Sequence, residues 1–172
     1  FNLFFLIIIV FYTGELIWKE RSVKFNLIID ALPIPDWVNM LSKYIALLLI
    51  NICTILLLIL CGVAIQTALG YTNYELPVYF KAMFTDTLVF IIMYQTMAFF
   101  VQSIANNKFI GFAFMFVFFI ITFFLDAFGI QHPLVVFDSG SLGRYSDMNR
   151  YGHFMTSFLW MKFYWLAFTM FL

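Results

Sequence analysis

Long unbroken apolar runs alternate with short polar connections along this chain. The runs cover about 1–18, 44–69 ("YIALLLINICTILLLILCGVAIQTAL"), 83–105, 109–129 and 154–172. Each approaches or exceeds the ~20 residues that a helix needs to cross a bilayer. The connections are 19–43, 70–82, a very short 106–108, and 130–153. A transmembrane β-barrel would show strict alternation over segments of about ten residues, and these runs are continuous. The expected fold class is therefore all-α: a polytopic α-helical membrane protein with about five transmembrane helices and one short amphipathic helix at the surface.

Composition points the same way. Phe supplies 25 of 172 residues and 10% of the chain is charged, against roughly a quarter in a soluble domain; mean hydropathy is +1.00. The formal net charge is zero, which suggests no nucleic-acid partner. The chain opens without Met inside one apolar run and stops inside another, so it reads as a fragment of a longer protein. No signal-peptide pattern opens it. Cys53 and Cys61 fall in one run, about 12 Å apart if helical, too far for a disulfide.

Orientation follows from the basic residues. Lys19, Arg21, Lys24, Lys43 and Lys108 fall in 19–43 and 106–108, on one side; Lys81, Arg144 and Arg150 fall on the other. The bias places 19–43 in the cytoplasm. Within it, Phe25, Ile28, Ile29 and Leu32 recur at i, i+3, i+4, i+7, one face of a helix. Pro33 and Pro35 end that helix, because proline lacks the N–H and disfavours helix in the residue before it. Asp36 is then placed as N-cap of a helix starting at Trp37, which can run past Lys43 into the second span. The result is a short surface helix, a sharp turn and a re-entry into the membrane. Such a helix anchors to lipid or docks on a cytoplasmic partner.

The stretch "GELIWKERSVKFNLIIDALPIPDWVNMLSKYIALLL" resembles the cytoplasmic segment of type-2 ABC exporter permeases, through Gly14, Glu15, Glu20, Arg21, Leu32, Pro33 and Lys43. The Gly-Thr that usually follows the Glu-Arg pair is missing here. A second stretch, "RYSDMNRYGHFMTSFLWMKFYW", is similar to a bacterial subgroup whose permease region is fused to a C-terminal gluzincin zinc aminopeptidase. It matches at Tyr145, Ser146, Asp147, Met148, Asn149, Tyr151, Gly152, His153 and Phe154, with Arg150 where Gly is expected. The resemblance implies a transmembrane subunit of an ATP-driven exporter in the bacterial inner membrane. It also implies a homo- or heterodimer of permease units, with ATP bound on a separate ABC ATPase subunit. Its coupling interface would be Glu15, Glu20, Arg21, Phe25, Ile28, Ile29, Leu32, Pro33, Pro35, Asp36 and Lys43. The alternative implication is a membrane anchor for a fused aminopeptidase.

The residues themselves carry no enzyme. There is no GxxxxGK[ST] loop for ATP phosphates and no HExxH; His132 and His153, 21 apart, fall short of the three ligands a catalytic zinc needs. No cofactor is expected on this chain. Ser146, Asp147 and His153 match no hydrolase spacing, and "SDMN" reads as a hydrogen-bonded turn.

Polar residues inside the spans are the remaining candidates. Glu15 precedes Lys19 by four and reads either as an interfacial ion pair with it or as a gate residue. Asp126 reads as an interfacial carboxylate, and Asp86, after Thr85, as a helix cap. Asn51, Gln66, Thr67, Gln95, Thr96 and Gln102 fit helix–helix hydrogen bonds, and Ala64 with Ala68 a small-residue contact. Lys162 must snorkel, pair, or mark a span that begins later than drawn; the last is expected. An ion- or proton-coupled transporter would need a charged residue near mid-membrane, and none stands out.

Overall fold

A computed structural model describes residues 2–24, 35–70, 74, 76–130, 132–139 and 154–171. The regular elements among the described residues are all helical, without a strand: α1 (Asn2–Ser22), α2 (Asp36–Ala68), α3 (Leu76–Ala82), a π turn (Met83–Thr87), α4 (Leu88–Ile104), α5 (Lys108–Ala127) and α6 (Phe154–Phe171). Four stretches are long and apolar enough to cross a membrane: α1, α2 from Trp37, the continuous helix Leu76–Ile104, and Lys108–Leu125 of α5. The protein is a multi-pass, all-α membrane protein. The remaining helix, α6, has 18 residues.

Local chemistry sets the ends. Pro35, at φ −66° and ψ 139°, occupies the capping position of α2, and no side chain caps that end. Asp36 is the first helical residue rather than the expected N-cap, because the fixed φ and extended ψ of Pro35 place the turn into the helix one residue earlier. The helix then runs 33 residues, about 50 Å, and stops at Gly70, whose φ of +80° continues no right-handed helix. The connection drawn at 70–82 is helical from Leu76. Pro77 stands in its first turn, where a missing N–H costs nothing. Asn107 Oδ1 accepts the Phe109 N–H at 3.3 Å and caps α5. At the other end of α5, Gly129 takes φ +76° while the Ile130 N–H reaches back to the Leu125 carbonyl at 3.0 Å, the Schellman closure.

The bundle is built around α4, which packs against α1, α2, α5 and α6. Its buried Phe90, Ile91, Met93, Tyr94 and Ala98 meet Phe5 and Ile9 of α1, Ile55 and Ile59 of α2, Met115 of α5 and Trp165 of α6. A smaller cluster joins Ile17, Leu47 and Phe99 nearer the basic end. By contrast, α2 and α5 bury little of their surface, as lipid-facing helices do. Ala64 and Ala68 are exposed, so the expected small-residue contact is absent there among the described residues. Cys53 and Cys61 are free and exposed.

Most polar residues of the spans do hydrogen-bond between helices. Asn51 Nδ2 donates to Gln95 Oε1 at 3.3 Å, and Gln95 Nε2 to the Tyr44 carbonyl at 2.7 Å. The Tyr44 hydroxyl and Thr96 Oγ1 lie 3.0 Å apart. Gln66 Nε2 donates to the Tyr79 hydroxyl at 2.5 Å, and Thr67 pairs with Tyr74 at 2.8 Å. In hydrocarbon such bonds contribute on the order of 1 kcal/mol each; those of Asn51, Gln95, Tyr44 and Thr96 join α2 to α4.

Candidate functional sites at the two ends of the bundle

The end of the bundle formed by the C-terminus of α1 and the N-termini of α2 and α5 gathers Glu15, Glu20, Arg21 and Lys43 of the expected interface. Lys43 Nζ lies 2.6 Å from Glu20 Oε2, and Asn39 Nδ2 donates to the same oxygen at 3.3 Å, so α1 and α2 are tied across the connection between them. Glu15 pairs with Lys108 of α5, not with Lys19 as spacing suggested. The approach of α5 to α1 offers it a partner on another helix, while Lys19 stays exposed. The Arg21 guanidinium lies 4.8 Å from the Trp18 ring centre, and Trp18 Nε1 donates to Gln102 Oε1 at 2.9 Å.

Gln102 is fully buried and sits at a junction made possible by two glycines. A Cβ on Gly111 of α5 would overlap its side-chain amide, and one on Gly14 of α1 would overlap the Phe112 ring. Three helices therefore meet backbone to side chain just inside the charged end. The charged groups line a cavity of about 1060 Å³, with Tyr12, Trp18, Lys19 and Asn107 among its walls. Phe25, Ile28, Ile29, Leu32 and Pro33 lie outside the described residues, as does the outer-loop motif Tyr145, Ser146, Asp147, Met148, Asn149, Tyr151, Gly152 and His153. The Asp126 side chain is likewise outside them.

The opposite half of the bundle holds a site that sequence reasoning misjudged. Lys162 lies in the middle of α6, and that helix already begins at Phe154. Its residue is 4% exposed, and its ammonium pairs with Asp138 and lies 3.6 Å from Asp86 Oδ1. Asp86 is no cap, because the helix already runs from Leu76. It sits in the π turn, where the Leu88 N–H bonds the Met83 carbonyl five residues back; such turns often mark functional places in helices.

Asp138 belongs to a segment, 132–139, that folds back from the end of α5 into the bundle. Its neighbour Phe137 is buried, with ring centres 5.1 Å from Tyr94, 5.3 Å from Phe118 and 5.2 Å from Trp165. Phe118 lies nine residues before Ala127, about 13 Å from the end of α5. Non-helical backbone at such depth is tolerated only where protein or a water-filled cavity surrounds it. Here α6 holds it: Trp165 Nε1 donates to the Pro133 carbonyl at 3.2 Å and to Ser139 Oγ at 3.3 Å. Asp138 itself has φ +60°, a left-handed conformation that a non-glycine residue adopts at a cost and that clusters at functional places.

One sequence signal marks this site. Phe158, Lys162, Trp165 and Thr169 are all buried at i, i+4, i+7, i+11, so Lys162 stands on the packed stripe of its own helix. Asp138 had no such signal, since a loop has no periodicity to show which residues turn inward. His132 is exposed, with Nδ1 accepting the Leu134 N–H at 3.3 Å, and no group of three metal-ligating side chains exists among the described residues.

Comparison with protein families, curated proteins and solved structures finds no match.

Proposed function

We propose that the chain is the transmembrane subunit of an ATP-driven exporter of the type-2 ABC permease kind, with its basic end facing the cytoplasm and a separate ATPase docking there. The tie from Glu20 to Lys43 and Asn39 carries this reading. It joins the last turn of α1 to the first turns of α2, on either side of the segment that holds Pro33 and Pro35. A push on that segment would reach both helices together, and the Gln102 junction would pass it on to α4 and α5. A mere membrane anchor for a fused peptidase needs neither the elbow nor the tie.

The reading is tested in membranes holding the chain with its ATPase, by replacing Pro33 and Pro35 with Ala. Insertion stays intact and substrate-stimulated ATP hydrolysis is lost; unchanged stimulation refutes the coupling role.

The Lys162 cluster favours a second reading, an ion- or proton-coupled transporter, since charged residues within a bundle mark ion pathways by default. The two separate cleanly in vesicles. Transport that survives a protonophore and needs ATP supports the exporter; transport that collapses with the proton gradient and ignores ATP supports the second.

A further inference from the structure

We propose that the seam between α1 and α5 binds an anionic phospholipid, with its headgroup in the charged cavity and an acyl chain along the seam. Below the cavity the two helices leave a groove of about 440 Å³ lined only by apolar side chains, among them Leu6, Val10, Phe11, Phe112 and Phe116. The Phe11 and Phe112 ring centres are 5.3 Å apart. The groove adjoins the cavity: Glu15 of the cavity lies one turn after Phe11, and Lys108 one turn before Phe112, its ammonium 5.8 Å from that ring.

Charge completes the match. Lys19, Arg21, Lys43 and Lys108 line the cavity against Glu15 and Glu20, a balance of four cations to two carboxylates. The glutamates are taken by Lys43 and Lys108. Lys19 and Arg21 make no ion pair among the described residues, and both are exposed. Two cations without a carboxylate partner among the described residues, Lys19 and the Arg21 that lies over the Trp18 ring, stand at the basic end of a helix bundle near an apolar groove and suit a phosphate carried on a hydrocarbon chain. A free phosphate would find the cations but leave the groove unused.

The test uses the protein in phosphatidylcholine nanodiscs, with a photoactivatable group on the acyl chain of phosphatidylglycerol or of phosphatidylcholine. The phosphatidylglycerol probe is expected to label α1 and α5 around Phe11 and Phe112 preferentially. Equal labelling by the two probes overturns the proposal. Replacing Lys19 and Arg21 by Ala is expected to weaken the phosphatidylglycerol site roughly fivefold per residue, about twenty-five-fold together, while Lys81→Ala at the other end changes nothing. Retention of the preference in the double variant overturns it. Ala113→Trp, at an exposed wall of the groove, is expected to abolish labelling there, and unchanged labelling refutes the chain site. Millimolar inorganic phosphate is expected not to compete; if it does, the cavity is a free-anion site and the lipid assignment fails.

Discussion

Replacing Lys162 by Met removes the only cation that pairs with Asp138 and Asp86 among the described residues while keeping the apolar stem of the side chain. Asp138, with a side chain 12% exposed, is then a buried carboxylate without a counter-ion. Breaking a buried pair in this way costs about 3–5 kcal/mol. Protonation of Asp138 sets a ceiling: neutralising a carboxyl of ordinary pKa costs about 4 kcal/mol at pH 7 and about 1.5 kcal/mol at pH 5. The expected loss at pH 7 is therefore about 3–4 kcal/mol, a fall of about 6–16 °C in Tm for a chain of this size. The sign of the pH dependence follows from proton counts. In the variant the folded state holds a proton on Asp138 that the unfolded state has released, so its stability falls as pH rises. The penalty relative to the parent should shrink to less than half between pH 7 and pH 5. Thermal unfolding in mild detergent, followed by tryptophan fluorescence, reads both quantities. Adding Asp138→Asn, which tolerates the left-handed backbone, should bring the double variant back to within about 1 kcal/mol of the parent. A Lys162→Met protein within 2 °C of the parent at pH 7, as an order-of-magnitude threshold, would refute the buried pair.

Asp86, with a side chain 37% exposed and 3.6 Å from the ammonium, should matter far less: Asp86→Asn is expected to cost under about 1 kcal/mol in the same assay. Gly111→Ala should cost about 1–3 kcal/mol because its Cβ would overlap the Gln102 amide. Gly62→Ala, with nothing within 4 Å of its Cβ, should instead stabilise α2 by up to about 1 kcal/mol; matching effects at the two glycines would contradict the close junction. Trp165→Phe keeps the ring but loses the donor to Pro133 and Ser139. It should cost about 1 kcal/mol and speed hydrogen exchange in 132–139, and unchanged exchange would show that the segment is held by packing alone.

The apolar runs made the helices legible, because a bilayer imposes a length and a composition that no local rule overrides. The paired amides and hydroxyls were legible for the same reason: in a span, Asn51, Gln95 and Gln102 have to find partners on other helices. Partner identity was less so. Glu15 bonds Lys108, 93 positions along the chain, rather than its helical neighbour Lys19, and only the Gly14–Phe112 approach explains why α5 comes so near. Sequence placed Asp86 at a helix start because the third apolar run begins only near 83, whereas the helix extends back to Leu76, with Pro77 in a first turn where proline is compatible with helix. Asp138 was invisible: its depth comes from the Phe137 contacts with Tyr94, Phe118 and Trp165, which join three distant stretches of chain.

The most direct measurement is cross-linking from a cysteine at Asn26, in a chain whose exposed Cys53 and Cys61 are first replaced by Ser, in native membranes. The permease account predicts capture of a P-loop ATPase subunit, lost when Glu20 is replaced by Ala. Capture of lipid or of a second copy alone, while a control cysteine at Lys24 reacts normally with a water-soluble maleimide, would contradict it and favour a membrane anchor.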